Sequence, residues 1–137
     1  MTQTLIDTGP LVAYLDASER LHPWVVEHWR ALAPPLITCE AVVTEAVFLL
    51  CSARADLDAF WELFRRELVH IGFELETELE PVAELMRRYQ SVPMDLADAC
   101  LVRMSELRKD VRVFTLDSDF KLYRRHGRQT IPLLYPE

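Results

Sequence analysis

Apolar positions in this chain fall into short runs rich in β-branched and aliphatic residues, separated by longer segments with helical period. Thr4-Leu5-Ile6 is one such run; it stops at Asp7, and Thr8-Gly9-Pro10 opens a periodic segment through Leu15. This predicts a strand turning into a helix. Asp7 or Thr8 can accept the orphan N–H groups of a first helical turn, and a proline just inside the start costs none of them. His22-Pro23-Trp24 opens a second helix that must end before Pro34-Pro35, and Leu36-Ile37-Thr38 is a second strand. Glu40 to Ala53 contains no breaker and predicts a mostly buried helix. Leu57, Phe60, Trp61, Phe64 and Leu68 recur at i, i+3, i+4, i+7 and i+11 and mark one face of the next, so the two helices form a hairpin.

Val69 to Glu74 reads as a third strand and Glu78 to Gln90 as an amphipathic helix with Pro81 in its first turn. Ser91-Val92-Pro93 interrupts it, because proline disfavours helical geometry at the residue before it. Asp95 to Lys109 is the next helix and Val111 to Thr115 the next strand. Asp117-Ser118-Asp119 starts a short helix to His126 with Gly127 as its C-terminal stop, and Thr130 to Leu134 is a last strand. Strands alternating with helices predict an α/β fold, a three-layer α/β/α sandwich around a central parallel sheet. At 137 residues, with no repeats or linkers, a single domain over 1–137 is expected.

Composition narrows the chemistry. The glycines, Gly9, Gly72 and Gly127, are too far apart for a Gly-rich phosphate cradle, and His22, His28, His70 and His126 are scattered with no Cys-x-x-Cys pair to build a zinc site. Cys39, Cys51 and Cys100 sit among apolar neighbours and read as buried, reduced thiols, which places the chain in the cytoplasm. Met1 to Asp7 lacks a basic, apolar leader and no stretch is long enough to span a bilayer, so a chain neither exported nor membrane-bound is expected. Net charge is −7, so the overall field repels nucleic acid and any phosphate ligand needs local help.

Catalytic groups must therefore come from carboxylates. Ligands of open parallel sheets gather outside the carboxyl ends of strands. Asp7 ends the first strand, Asp117 and Asp119 follow the Val111–Thr115 strand, and Asp95 and Asp98 share one face at a helix start. Glu45 stands in an otherwise apolar helix with no Lys or Arg between Ala31 and Ala53 to pair with it. Asp7, Asp95, Asp117 and Asp119 also sit where aspartate caps helices, and Asp98 where it meets a helix dipole. Gathered together, such acids repel by about 4 kcal/mol per pair at 4 Å and an effective dielectric near 20. A hard divalent cation, Mg2+ or Mn2+, removes that repulsion and can activate water against a phosphodiester.

At this point the chain resembles the PIN-domain ribonucleases, and among them the VapC-like toxins of bacterial toxin–antitoxin pairs. The resemblance lies in Leu5-Ile6-Asp7-Thr8-Gly9-Pro10-Leu11-Val12, Glu45, Asp95-Leu96-Ala97-Asp98-Ala99 and Phe114-Thr115-Leu116-Asp117-Ser118-Asp119-Phe120. It implies an acidic Mg2+ or Mn2+ site cutting single-stranded or structured RNA, with dimerisation and inhibition by a small antitoxin protein. By position, Asp7, Glu45 and Asp98 match the central acids and would hold one ion. Asp117 or Asp119 is the more variable fourth, assisting a second ion or positioning water, and Asp95 is an extra acid. Thr8 and Thr115 match supporting hydroxyls, and the expected products carry a 5′-phosphate and a 3′-hydroxyl.

Lys121, Arg124, Arg125 and Arg128 follow the last acidic motif and read either as guides for RNA phosphates or as a solvated face. The aromatic set Trp24, Trp29, Phe48, Phe60, Trp61 and Phe64 reads first as core, and any exposed member as a groove for an antitoxin helix or a second copy. A haloacid-dehalogenase-like phosphatase needs a second Asp where Gly9 stands. A receiver domain needs an acidic pair after the first strand, a phosphorylatable Asp and a late lysine, which are not evident. The rival that survives is a PIN-fold binding or regulatory module without turnover.

Overall fold

Leu5 and Ile6 point to opposite faces of their strand and neither keeps any exposure, which marks that strand as the centre of a sheet covered on both sides. The computed structural model describes residues 1–137. In chain order it contains β1 (Gln3–Ile6), α1 (Thr8–Leu15), α2 (His22–Arg30), β2 (Leu36–Thr38), α3 (Glu40–Ser52), α4 (Leu57–Arg65) and β3 (Val69–Ile71). There follow α5 (Leu79–Arg88), α6 (Leu96–Glu106), β4 (Val111–Phe114), a 3₁₀ turn (Ser118–Lys121), β5 (Arg124–Arg125), β6 (Gln129–Thr130) and β7 (Leu133–Leu134). The main sheet has five parallel strands in the order β3-β2-β1-β4-β7, with Leu5 opposite Ile37 on one side and Val113 on the other. Six helices flank it, giving the expected α/β/α sandwich around one cluster of 29 buried apolar residues.

The order of strands positions the site. From β1 the chain steps outward through β2 to β3, then returns across β1 to place β4 on the other side. The crossovers therefore reverse direction between β1 and β4, and a crevice opens at their carboxyl ends. Asp7 follows one of these strands, and Thr115 to Asp117 follow the other.

Several elements depart from expectation. On α3 only Val42, Ala46 and Leu50 are buried, while Glu45, Phe48 and Leu49 are exposed, so the helix is half-buried despite its apolar sequence. Helices α3 and α4 end through left-handed residues, Arg54 (φ 56°) and Glu67 (φ 58°), with Ala55 N–H and Leu68 N–H closing back onto Leu50 and Leu63 carbonyls. This leaves Leu68 beyond α4. The third strand stops at Ile71, where Gly72 approaches β2 so closely that a Cβ there would stand 2.7 Å from Ile37 Cγ2.

The helix expected over 117–126 is a single 3₁₀ turn. Arg124 donates to the carbonyls of Lys121, Leu122 and Tyr123, taking acceptors a continuing helix needs. His126 (φ 52°) and Gly127 (φ 80°) then turn a small antiparallel hairpin, so Gly127 serves a β turn and not a helix stop. The last strand is correspondingly divided, its Thr130 in the hairpin and its Leu133–Leu134 in the main sheet. Cys39 and Cys100 are buried as expected, whereas Cys51 is exposed near the end of the half-buried α3.

Candidate active site

Asp7 caps α1 and is buried at the end of β1. One carboxylate oxygen accepts from Thr8 N–H at 2.8 Å and the other from the Thr115 hydroxyl at 2.8 Å. Burial dominates these bonds and pushes the Asp7 carboxyl up to about 6, with the charges of Asp117 and Glu45 adding to the rise. Thr115 accepts in turn from Asp117 N–H at 3.0 Å, so one hydroxyl ties the ends of β1 and β4 together.

Asp95 and Asp98 form a capping box at the start of α6, Asp98 N–H donating to Asp95 at 2.8 Å and Asp95 N–H to Asp98 at 3.3 Å. Asp98 is buried and also contacts the Tyr123 hydroxyl at 3.1 Å. Burial first, then the charges of Asp95 and Asp7, push its carboxyl up to about 7. The exposed Glu45 is reached from α3 and accepts from the Thr8 hydroxyl at 3.0 Å. Partial desolvation raises its pKa, the Thr8 bond opposes this, and the charge of Asp95 reinforces it.

These acids open onto one cavity of about 630 Å³ whose lining includes Asp7, Glu45, Asp95, Asp98 and Asp117. Thr8 lines it as well, and so does Gly9, where a Cβ would stand 3.2 Å from Leu116 Cβ. Asp119 is outside the lining; its backbone N–H donates to Asp117 at 2.9 Å. Thr115 is buried beneath Asp7. None of the six acids is in an ion pair with a Lys or Arg. No three side chains stand close enough together to hold an ion as placed. Unneutralised carboxylates repel, and the five of these that line the cavity are each drawn instead to a neighbouring hydroxyl or N–H.

Residues 4–125 match the family model of the PIN domain. The chain belongs to the PIN domain family. Ribonuclease VapC26 of Mycobacterium tuberculosis (strain ATCC 25618 / H37Rv) is 32% identical over 133 residues, which span 94% of this chain and 93% of the relative. The PIN match takes in every acid of the cavity and ends at Arg125, so the β6–β7 segment and the tail lie beyond it.

None of the basic residues near that boundary lines the cavity. Arg125 is buried and donates to the Ser105 and Arg108 carbonyls, tying the hairpin to the end of α6. Arg124 is occupied with the carbonyls of the 3₁₀ turn, Lys121 pairs with Glu137 at 2.9 Å, and Arg128 is exposed outside the cavity lining. The PIN cavity instead takes Arg20 from the α1–α2 turn and Tyr135 from beyond β7. Neither carries a motif or a spacing that singles it out, and Tyr123, which supports Asp98 from below, is likewise silent in sequence.

The donor set suits a hard cation. It is all oxygen, rich in carboxylate and without an ion-paired Lys or Arg, which is the environment in which Mg2+ or Mn2+ binds with water completing its shell.

Proposed function

We propose that this PIN domain protein is a Mg2+- or Mn2+-dependent endoribonuclease and the toxin of a type II toxin–antitoxin pair. The observation that carries this reading is the pair of buried carboxylates, Asp7 and Asp98, lining one cavity at the sheet's crossover point with no cationic partner. Similarity to a ribonuclease over nearly the whole chain supports the substrate class.

Asp7, Glu45 and Asp98 would hold the ion, with Asp117 contributing from the β4 side and Asp119 supporting Asp117 through its backbone. When bound, a divalent ion supplies charge neutralisation at phosphate and lowers the pKa of an attacking water. The chain's own residues fix the geometry. Thr8 holds Glu45, Thr115 fixes Asp7 relative to Asp117, and the capping box with Tyr123 fixes Asp98. Asp95 adds negative charge next to Asp98 and Glu45, which strengthens the demand for a cation.

Phe48, Leu49 and Trp61 are exposed on the adjacent α3 and α4, at 69%, 43% and 38%. We assign this apolar surface to a protein partner, a small antitoxin or a second copy of the chain. No helix is long and apolar enough to cross a membrane, and the three free cysteines suit a reducing cytoplasm.

The deciding experiment incubates the purified chain with labelled RNA over a range of Mg2+ and Mn2+ concentrations, beside Asp7→Asn and Asp98→Asn. Expected are metal-dependent cuts leaving a 5′-phosphate and a 3′-hydroxyl, lost in both variants. Cutting that survives both substitutions removes this cavity from the reaction.

A further inference from the structure

We infer that Arg20 and Tyr135 form a nucleotide subsite at the cavity, Tyr135 stacking on an unpaired base of the RNA and Arg20 holding an adjacent phosphate. The inference rests on the ribonuclease reading and names the residues of this chain that grip the RNA beside the acids. Two independent features of the cavity carry it.

The first is charge. Six acidic residues line the cavity, Asp7, Glu19, Glu45, Asp95, Asp98 and Asp117, against one cation, Arg20. A polyanion approaching such a wall needs a fixed positive group, and the cluster after Asp119 does not supply it there. Arg20 makes no ion pair and its side chain donates no hydrogen bond within the chain, so its guanidinium is uncommitted. Its loop is fixed: Asp16 accepts from Ser18 N–H at 3.0 Å, and His22 N–H donates to the Glu19 carbonyl at 3.0 Å. An exposed, unpaired guanidinium carried on a fixed loop at a cavity rim suits a phosphate.

The second is the aromatic ring. Strand β7 pairs in parallel with β4, so Tyr135 emerges at the same carboxyl edge as Asp117 and lines the same cavity. Lys121 holds it there, its ammonium 4.4 Å from the ring centroid and 2.9 Å from Glu137. Lys121 thus orders a stacking residue rather than meeting phosphate itself. Aromatic rings stack on bases that are splayed out of a helix, whereas paired bases offer no free face.

The test measures steady-state cleavage of a labelled hairpin RNA cut in its loop, and of the same sequence locked into a duplex. The enzymes are the wild type, Tyr135→Ala, Tyr135→Phe and Arg20→Ala, with melting temperatures recorded for all. Expected is preference for the loop, a KM about tenfold higher in Tyr135→Ala, and recovery in Tyr135→Phe, which keeps the ring. Arg20→Ala should raise KM and reduce the salt dependence of log KM by about one charge. The subsite is overturned by equal cutting of loop and duplex, by a Tyr135→Ala KM within twofold of wild type, or by a KM defect that only tracks a lowered melting temperature. A wild type that cuts no RNA strikes the ribonuclease reading itself, whereas one that cuts and ignores these substitutions strikes the subsite alone.

Discussion

Burial holds the Asp7 carboxyl near 6 and the Asp98 carboxyl near 7, against ordinary values of 3.8 for both. The folded chain therefore binds more protons than the unfolded chain between about pH 4 and 7, and metal-free stability falls as pH rises through that window, then levels. For Asp7 alone a rise from 3.8 to about 6 corresponds to about 3 kcal/mol. Asp98→Asn removes one such charge while leaving an oxygen for Asp95 N–H and the Tyr123 hydroxyl. Its melting temperature in EDTA at pH 8 should exceed the wild type's, the gap closing toward pH 4, while RNA cutting is lost. Thr115→Val has the opposite sign. It strips Asp7 of a hydrogen bond that lowers its pKa and leaves Asp117 N–H without its acceptor. A cost of about 1–3 kcal/mol in urea unfolding is expected, together with an acid limb of the pH–rate profile displaced to higher pH.

At the scale of elements, α6 separates a capping role from a charge role. Asp95→Ala should lose about 1 kcal/mol as the helix loses its cap, whereas Asp95→Ser keeps a capping oxygen and should stay within a few tenths. Equal losses in urea unfolding would mean that the cap is not what Asp95 contributes to stability. Arg125→Ala is the counterpart in the hairpin. It frees two carbonyls near the end of α6 and should cost about 2 kcal/mol without changing the salt dependence of RNA cutting.

The elements also show where sequence reading succeeds. Asp7, Asp95 and Asp117 announce helix or turn starts because capping chemistry is local, and the strand runs announce themselves by apolar content. The half-exposure of α3 was not legible: Phe48 and Leu49 are as apolar as Val42 and Leu50, and only packing decides which side faces the core. Arg125 reads as surface because arginine rarely buries, and its carbonyl partners, Ser105 in α6 and Arg108 just beyond it, are 20 and 17 residues away in sequence. That Asp7, Asp95, Asp98 and Asp117 share one cavity was legible because carboxylates at strand ends and helix starts gather at the carboxyl edge of a parallel sheet, and Glu45 was legible as a lone acid in an apolar helix. Arg20 and Tyr135 were not, since a loop arginine and a tail tyrosine become neighbours of the acids only once the crossover at β1 and β4 has formed.

For the whole molecule, with net charge −7 and a carboxylate-lined cavity, the proposed metal dependence makes a divalent cation a folding ligand as well. Binding to the folded state alone stabilises by about 2.7 kcal/mol at a hundredfold excess over Kd. The ion competes with protons on Asp7 and Asp98, so the increment should be small at pH 5 and full by pH 8, opposing the metal-free trend. Melting curves with Mg2+, Mn2+ or EDTA across that range measure it directly. In wild type the added ion should raise the melting temperature and flatten its fall with pH, and in Asp98→Asn most of the increment should vanish. A wild-type melting temperature indifferent to both ions at pH 8 would mean that the cavity's charge is tolerated without a cation, and the binding-module reading would then account for the fold better than catalysis does.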